Sequence, residues 1–278
     1  MTRHDDRPSV FPPAERDVEA LERSPQTPQT ENPAYRLAFH DLDFLTRDEL
    51  RPVRLQLELL KPELTLNERG IVSTVVMFGG ARIRAPGAPA TGRSRAEQSL
   101  GRYYEEARRF ARRVSEESLA RGGREFVIAT GGGPGVMEAG NRGAQEAGAS
   151  SIGLGIVLPH EQAPNAYVTP ELCFNFHYFA IRKMHFLMRA AAIAVFPGGF
   201  GTLDELFETL TLIQTRRMEP LPVLLFGEAF WRGVVNFEAL QTAGTIAPGD
   251  LDLFRFVETA DEAWDLIVAE QALATRSG

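Results

Sequence analysis

The chain has very little cysteine and lysine, and these shortages exclude several kinds of site. Cys173 is the one cysteine among 278 residues, so an internal disulfide is impossible and a cysteine-based metal site is disfavoured. The five histidines are scattered, and none follows a metal-binding spacing such as H-E-x-x-H. Lys61 and Lys183 are the two lysines, and arginine supplies every other basic side chain. We therefore expect no metal site, and lysine chemistry has only two candidate residues.

The sequence also lacks long apolar runs and an excess of basic charge. No stretch of 18 or more residues is apolar, and the N-terminus does not show the basic and then apolar pattern of a secretory signal. We therefore expect a cytoplasmic protein without a membrane partner. The net charge of −7 argues against a nucleic-acid partner, because a phosphate backbone favours a basic surface. A small anionic ligand is compatible with this charge, since a basic pocket does not need a basic protein.

The distribution of proline and apolar residues divides the chain into three parts. Residues 1–34 are rich in proline and polar side chains, which predicts a disordered tail. Residues 35–70 are predicted to form a helical extension, whose main helix is bounded by Pro52 and Pro62. Residues 71–278 are predicted to form one domain, and the apolar content of 44% is that of an ordinary globular protein.

Short apolar runs alternate with helical patterns along this domain. Six runs predict strands, at Val72–Phe78, Phe126–Thr130, Ser151–Leu158, Ala191–Phe196, Pro222–Phe226 and Phe254–Val257. The helical patterns lie at Arg95–Arg121, Val136–Ala147, Tyr178–Arg189, Thr202–Arg216, Phe230–Gln241 and Asp261–Ala272. This alternation predicts an α/β fold with a single doubly wound, Rossmann-like parallel sheet and helices on both faces. In such sheets, ligands bind at the carboxyl ends of the strands.

A glycine-rich turn follows the fourth predicted strand and opens the next helical pattern. Gly198, Gly199 and Gly201 leave backbone N–H groups without side-chain cover, so an anion can approach them closely. The helix N-terminus adds the positive end of its dipole, and we predict that this turn and Thr202 bind a phosphate beside Glu205. The alternative is a capping box in which Thr202 and Glu205 satisfy helix donors, but that leaves the three glycines unexplained.

Two further glycine clusters follow predicted strands. Gly79 and Gly80 follow the first, and Gly131-Gly132-Gly133 follows the second, with Glu138 in the next helical pattern. The spacing is not G-x-G-x-x-G, and no G-x-x-x-x-G-K-[ST] motif occurs, which favours a mononucleotide or sugar phosphate over NAD. We predict that all these residues contact substrate in one crevice. The alternative for the second cluster is a tight turn with Pro134 at the first helical position.

A basic pair lies on the helical pattern that precedes the fourth strand. Arg182 and Lys183 are surrounded by mainly apolar residues, and we predict that they bind an anion. The alternative is a solvated or intersubunit face. His185, on the same pattern, is interpreted as structural.

These residues resemble the Lonely Guy (LOG) phosphoribohydrolase family, often described as lysine decarboxylase-like. Pro197-Gly198-Gly199-x-Gly201-Thr202-x-x-Glu205 fits the family's PGGxGTxxE signature in full, and Arg182-Lys183 lies where the family has its RK pair. The stretch from Gly131 to Glu138 resembles the GGGPGxME segment of the longer branch. The resemblance covers roughly residues 50–258.

The resemblance implies hydrolysis of the N-glycosidic bond of a nucleoside 5′-monophosphate, such as AMP or a cytokinin riboside 5′-monophosphate. The products would be a free base and ribose 5-phosphate. Arg182 and Glu205 match the family's catalytic arginine and glutamate, and Lys183 would be an auxiliary phosphate contact. Water is the second substrate, so neither a metal nor an organic cofactor is needed. The resemblance also implies a homodimer or a higher homo-oligomer, and it leaves the preferred base open.

Two other functions are compatible with the same residues. A non-catalytic nucleotide-binding sensor or carrier would need only the glycines and Thr202, so the presence of Arg182 and Glu205 favours an enzyme. A true amino-acid decarboxylase would need pyridoxal phosphate on a Schiff-base lysine. Lys61 adjoins a proline and Lys183 adjoins Arg182, so neither lysine is a persuasive candidate.

Overall fold

The computed structural model describes residues 11–86, 100–159 and 163–277. The chain separates into two compact units, Met1–Lys61 and Pro62–Gly278. The division into 1–34, 35–70 and 71–278 stays a prediction from the sequence.

The N-terminal unit is built from short helices. Helix α1 spans Ala14–Glu22, within the tail whose composition predicts disorder, and none of its residues is buried. Acidic residues occupy the first turn of α1, where they interact favourably with the positive end of the helix dipole. Helix α2 spans Leu42–Leu45, and the Asp41 carboxylate accepts the first free N–H groups of that helix.

Helix α3, Arg51–Glu68, continues through the proline that was expected to end it. An interior proline costs about 3 kcal/mol because it removes a backbone hydrogen bond. Pro62 is nevertheless buried together with Leu66, and burial of apolar surface opposes this cost. The expected end of the helix at Pro62 is therefore wrong, and Gly70 with a φ of 67° follows the true end.

Pro62–Gly278 contains one seven-stranded parallel sheet. In chain order the strands are β1 Thr74–Phe78, β2 Val127–Thr130, β3 Ser151–Ile156, β4 Cys173–Phe176, β5 Ala190–Val195, β6 Val223–Phe226 and β7 Arg255–Val257. Their spatial order is β4-β3-β2-β1-β5-β6-β7, and every neighbouring pair is parallel. The chain starts near the centre, moves to one edge and then returns to the other side of β1. The predicted doubly wound fold is confirmed, with its switch point between β1 and β5.

Strand β4 is the one strand that the sequence patterns did not predict. It has four residues and pairs only with β3, at the edge of the sheet. Phe174 and Phe176 are buried whereas Cys173 and Asn175 are more exposed, so its pattern alternates instead of forming an apolar run. Such a short alternation is a weak signal in sequence.

Helices cover both faces of the sheet. They are α4 Arg102–Ala120, α5 Val136–Glu146, α6 Phe179–Leu187, α7 Phe200–Gln214, α8 Glu228–Val234, α9 Phe237–Thr242 and α10 Ala260–Ser277. The prediction of a single helix over Phe230–Gln241 is wrong. The Asn236 side chain accepts a hydrogen bond from the Ala239 N–H and caps a new helix there. Residues 95–99 of the predicted Arg95–Arg121 helix lie outside the described residues.

The core consists of two buried clusters, one on each face of the sheet. Neighbouring residues of β1 separate between them, with Val75 in one cluster and Val76 in the other, because strand side chains alternate in direction. Helices α4, α5 and α10 contribute to the first cluster, whereas α6, α7 and α8 contribute to the second. Burial on both faces explains why the strands are continuous apolar runs.

Candidate active site

The turns that follow β1, β2 and β5 converge on one cavity of about 260 Å³. Because the strands are parallel, these turns lie at the same edge of the sheet, where the switch point opens a crevice. The Gly80 N–H donates to the Pro197 carbonyl over 2.9 Å and joins two of the turns. The cavity is lined by Gly79, Gly80, Ala81, Gly131, Gly133, Met137, Ile156, Leu158, Phe179, Arg182, Gly199, Gly201, Thr202 and Glu205.

Close backbone packing explains why two positions of these turns are glycine. Gly135 has a φ of 75°, and a Cβ atom there would lie 2.3 Å from the Gly80 carbonyl oxygen. At Gly131 a Cβ atom would lie 2.5 Å from Nη2 of Arg182. The first glycine lets the turn after β2 pack on the turn after β1. The second lets a guanidinium lie against the wall of the cavity.

The N-terminus of α7 provides bare backbone donors on one side of the cavity. The helix begins at Phe200, Gly199 is its N-cap, and no side chain caps it. The first amides of a helix have no intrahelical partner and carry the positive end of the dipole. A capping box with Glu205 would need Thr202 at the N-cap position. Thr202 is instead the third residue of the helix, so this alternative is wrong. The Glu205 carboxylate is consequently available to the cavity.

Arg182 is held firmly, with only 8% of its surface exposed. Its Nε donates to the Leu154 carbonyl over 2.6 Å, and its guanidinium lies 5.0 Å from the ring centroid of Phe186. One Nη atom lies 3.6 Å from a carboxylate oxygen of Glu205. A cation fixed in this way keeps its orientation when a ligand enters, because it does not need to reorganise.

Glu205 lies beside this cation, and its side chain is 14% exposed. Burial raises the pKa of the Glu205 carboxyl to about 7, although the positive charge of Arg182 opposes the shift. A carboxyl with this pKa populates both protonation states near neutral pH, so it can accept or donate a proton there. Groups tuned in this way are typical of catalytic sites.

The structure does not bring the predicted phosphate contact Lys183 into the cavity. Lys183 Nζ lies 2.9 Å from a carboxylate oxygen of Glu208 and 3.2 Å from one of Asp204. Burial lowers the pKa of Lys183, but the hydrogen bonds with Glu208 and Asp204 outweigh this effect and raise it. Lys183 thus ties α6 to α7 and is not among the residues that line the cavity.

Glu138 likewise points to another part of the fold. The Tyr104 hydroxyl on α4 donates to its carboxylate over 2.7 Å. Burial, and then this hydrogen bond, raise the pKa of Tyr104 to about 12. Met137, the preceding residue, lines the cavity in its place. Gly198 does not line the cavity either, and it packs under Thr202, since a Cβ atom there would lie 2.2 Å from Oγ1 of Thr202.

A buried polar network that the sequence patterns missed supports the loop Gly131-Gly132-Gly133. Asn165 Nδ2 donates to the Gly132 and Gly133 carbonyls over 3.0 and 2.9 Å. The Gly132 N–H donates to Oγ1 of Thr130, which in turn donates to Oδ1 of Asn141. Asn141 is fully buried, so its hydrogen bonds rigidify the loop strongly. The polar residues Thr130, before the glycines, and Asn141, within α5, are the signal that could have found it.

The described ranges of the chain show neither a metal-binding cluster nor a membrane-spanning helix. No group of three or more His, Cys, Asp or Glu side chains in them is arranged to hold a metal ion. None of their helices is long and apolar enough to cross a membrane. Burial raises the pKa of the Cys173 thiol, which disfavours the reactive thiolate.

Comparison with known families agrees with this site. Residues 137–267 match the family described as "Possible lysine decarboxylase". Over residues 137–267, slightly less than half of its length, the chain is similar to a LOG-like domain. The resemblance predicted from the PGGxGTxxE and RK motifs is therefore confirmed, and the matched range includes both Arg182 and Glu205. The glycines after β1 and β2 lie before the matched range, so their assignment to the cavity depends on the geometry alone.

Three solved structures are similar to the chain at 18–20% identity. TM1055 is 20% identical to this chain, and the match covers 71% of this chain and 99% of TM1055 with a TM-score of 0.47. The molybdenum cofactor binding protein from Rippkaea orientalis is 18% identical, with coverages of 71% and 96% and a TM-score of 0.44. The Moco carrier protein from Chlamydomonas reinhardtii is 19% identical, with coverages of 73% and 98% and a TM-score of 0.44. No curated protein matches the chain. These similarities identify neither a ligand nor a reaction for this chain.

Proposed function

We propose that the cavity hydrolyses the N-glycosidic bond of a nucleoside 5′-monophosphate, AMP or a cytokinin riboside 5′-monophosphate, to a free base and ribose 5-phosphate. The observation that carries the proposal is the Arg182–Glu205 pair, whose charged atoms lie 3.6 Å apart in a cavity whose other lining residues are glycines, apolar residues and Thr202. In the reaction the bond between C1′ and the base nitrogen breaks, the oxygen of water bonds to C1′, and a proton reaches the departing base.

The N-terminus of α7 would bind the 5′-phosphate. Its first amides have no side-chain cap, and Gly199, Gly201 and Thr202 line the cavity there. A helix N-terminus favours a dianion through both its free N–H groups and its dipole. The hydroxyl of Thr202 is available as a further donor. This placement fixes the ribose within one helical turn of Glu205.

Glu205 would act on C1′ and on water. Departure of the base leaves a ribose with oxocarbenium character, and a neighbouring carboxylate stabilises that positive charge. The ionised carboxylate can also accept a proton from the attacking water. A pKa of about 7 suits this exchange, because the group is basic enough to take a proton at neutral pH.

Arg182 would orient the substrate and hold the charge balance of the site. Its Nε is occupied by the Leu154 carbonyl, so the side chain keeps one position against Gly131. Its guanidinium lines the cavity, where it can donate to ribose hydroxyls or to the departing base. Its positive charge also limits the rise in the pKa of Glu205.

A carrier or sensor is the alternative, and it makes a different prediction. Such a protein would bind the nucleotide and release it uncleaved, which needs the glycine turns but no buried acid. Two of the structures similar in fold are described as a molybdenum cofactor binding protein and a Moco carrier protein. Their similarity to this chain is too low to favour that role.

A lysine decarboxylase reaction has less support from the residues. Lys183 is engaged by two carboxylates that raise its pKa, whereas a Schiff-base lysine needs the amine in its neutral form. It also does not line the cavity. The family description is therefore a weaker guide than the chemistry of Arg182 and Glu205.

Incubation of the purified full chain with AMP tests the proposal. We expect equal amounts of adenine and ribose 5-phosphate, separated by chromatography. The same assay with other nucleoside monophosphates ranks the bases. If AMP and the other nucleoside monophosphates, including a cytokinin riboside 5′-monophosphate, are bound but recovered intact, the carrier alternative is correct and hydrolysis is refuted.

A further inference from the structure

A second compartment adjoins the cavity that holds Arg182 and Glu205. Its volume is about 180 Å³, and it extends toward the ends of β3 and β4. The two spaces share four lining residues, Gly131, Gly133, Ile156 and Leu158. They therefore form one continuous cleft, with the acid and the phosphate-binding turn at one end and the edge of the sheet at the other.

The lining of this compartment fits a flat aromatic ring with one polar edge. Its walls include the side chains of Val157, Leu158 and Pro164, while Asn175 supplies a carboxamide. Asn175 pairs in register with Gly155, where a Cβ atom would lie 3.5 Å from Oδ1 of Asn175. The glycine therefore leaves the space over the amide open. Within the described ranges, no hydrogen bond uses the Asn175 carboxamide.

The glycine loop that lines both compartments is held rigidly. Asn165 Nδ2 donates to both the Gly132 and the Gly133 carbonyl, and the Asn165 N–H donates to Gly132 as well. These carbonyls are already satisfied by Asn165. Among the described side chains that line the compartment, Asn175 supplies the carboxamide, which offers both a donor and an acceptor to a ligand.

On the basis of the proposed function, we propose that this compartment binds the nucleobase and that Asn175 determines which purine is accepted. An asparagine carboxamide can donate from Nδ2 to N7 of adenine while Oδ1 accepts from its 6-amino group. A 6-oxopurine places O6 opposite Oδ1, so two acceptors would face each other. The cleft should therefore select 6-aminopurine nucleotides over 6-oxopurine nucleotides.

Paired substrates and variants test this assignment. We compare AMP with IMP, which differ at position 6 of the purine, in the wild-type chain and in Asn175→Ala. Loss of a bidentate base contact should lower kcat/KM for AMP by about 5- to 150-fold and bring the AMP and IMP values together. Asn236→Ala is the matched control, because Asn236 caps α9 and its loss should not change the ratio of AMP to IMP.

Binding measurements separate this inference from the proposed reaction. In the Glu205→Gln background, titration with AMP should show weaker binding when Asn175 is replaced, whereas titration with ribose 5-phosphate, which has no base, should not. If the wild-type chain binds AMP without cleaving it but shows this same pattern, the reaction is refuted and the base assignment stands. If the wild-type chain cleaves AMP and Asn175→Ala keeps the same ratio of AMP to IMP, the base assignment is refuted and the reaction stands. An equal loss of affinity for AMP and ribose 5-phosphate also overturns the assignment, as does a wild-type chain that cleaves IMP as fast as AMP.

Discussion

Arg182 and Glu205 lie 3.6 Å apart although they belong to helices on either side of β5 in the chain. Arg182 is on α6, which leads into β5, and Glu205 is on α7, which follows the glycine turn after β5. The pair therefore depends on the same turn that would bind the phosphate. Any shift of that turn alters both the charge pairing and the position of the acid, so the two roles are coupled by construction.

Replacement of Glu205 by glutamine should abolish most of the activity. The change keeps the size of the side chain but removes the group that would stabilise the oxocarbenium and take a proton from water. We expect kcat for AMP to fall by about 10²- to 10⁴-fold, measured as adenine release.

Glu208→Gln is the matched control on the same helix. Glu208 lies one turn later and contacts Lys183 outside the cavity. Its replacement should change kcat less than a few-fold and affect stability only slightly, because the pair is partly exposed. Equal activity of Glu205→Gln and Glu208→Gln would remove Glu205 from the mechanism.

The pH dependence of activity should follow Glu205. Because burial raises the pKa of Glu205 to about 7, the ionised carboxylate that serves as base becomes dominant only above that pH. We expect kcat/KM for AMP to rise with pH through about 7 and then to level off. Initial rates of adenine release between pH 5 and 9 measure this profile. A rate that is flat across this range would contradict the role of base.

The free energy of unfolding should also depend on the Glu205 carboxyl. It should fall with rising pH, whereas the activity should rise. An unfolded glutamate has a pKa of about 4.3, so between that pH and about 7 the folded state binds more protons than the unfolded state. The contribution of Glu205 to the free energy of unfolding is therefore full below about 4.3 and falls as pH rises to about 7. As pH rises through this interval, the melting temperature of Glu205→Gln should therefore increase relative to that of the wild type.

Gly131→Ala tests whether the position of Arg182 matters for activity. A Cβ atom at this position would lie 2.5 Å from Arg182 Nη2 and 2.7 Å from Met137 Sδ, and both are ends of long side chains. These side chains can move, so we expect the free energy of unfolding to fall by only about 1 kcal/mol. A displacement of Arg182 by about 1 Å should reduce kcat/KM by about 10²-fold. Gly233→Ala on α8 is the control, since a Cβ there meets open space.

Local sequence signals predict the glycine side of the cavity well. The apolar runs that become β1, β2 and β5 end at glycines, and a parallel sheet brings such ends to one edge. Arg182 and Glu205 follow from motifs at fixed distances from these turns. These features are predictable because each depends on a short segment and on a topology that obeys general rules.

Other features depend on direction in space, which a motif does not encode. Neighbouring residues on a helix point about 100° apart, so only one member of a pair can face a given cavity. Arg182 faces it while Lys183 contacts α7, and Met137 faces it while Glu138 contacts α4. Asn175 lies on a four-residue edge strand, where no periodic pattern marks a functional side chain.

A homo-oligomer stays a prediction, and exposed apolar residues of α6, of its C-cap Met188 and of α7 suggest where to test it. Met184 and Met188 are each 47% exposed, and Phe200 is 94% exposed. We expect light scattering to give at least a dimer, and Phe200→Ser to weaken it. Val268→Ser is the control, because Val268 is exposed on α10, which packs on the opposite face of the sheet. A monomeric wild type would contradict the prediction.

Glu63 should stabilise the fold without any effect on catalysis. Its carboxylate accepts two hydrogen bonds from the Arg189 guanidinium, at 2.5 and 2.6 Å, and joins the end of α3 to the residue before β5. The hydrogen bond from Arg189 lowers the pKa of Glu63, so the stabilisation is present above the unfolded value of about 4.3 and disappears as pH falls through the lower folded value. Glu63→Gln should lower the free energy of unfolding at pH 7 by about 1.5–3 kcal/mol, measured by urea denaturation, and by much less at pH 3. Glu68→Gln, an exposed change on the same helix, should have little effect at either pH. A Glu63→Gln deficit that is equal at pH 7 and pH 3 would show that the charge of Glu63 does not stabilise the fold.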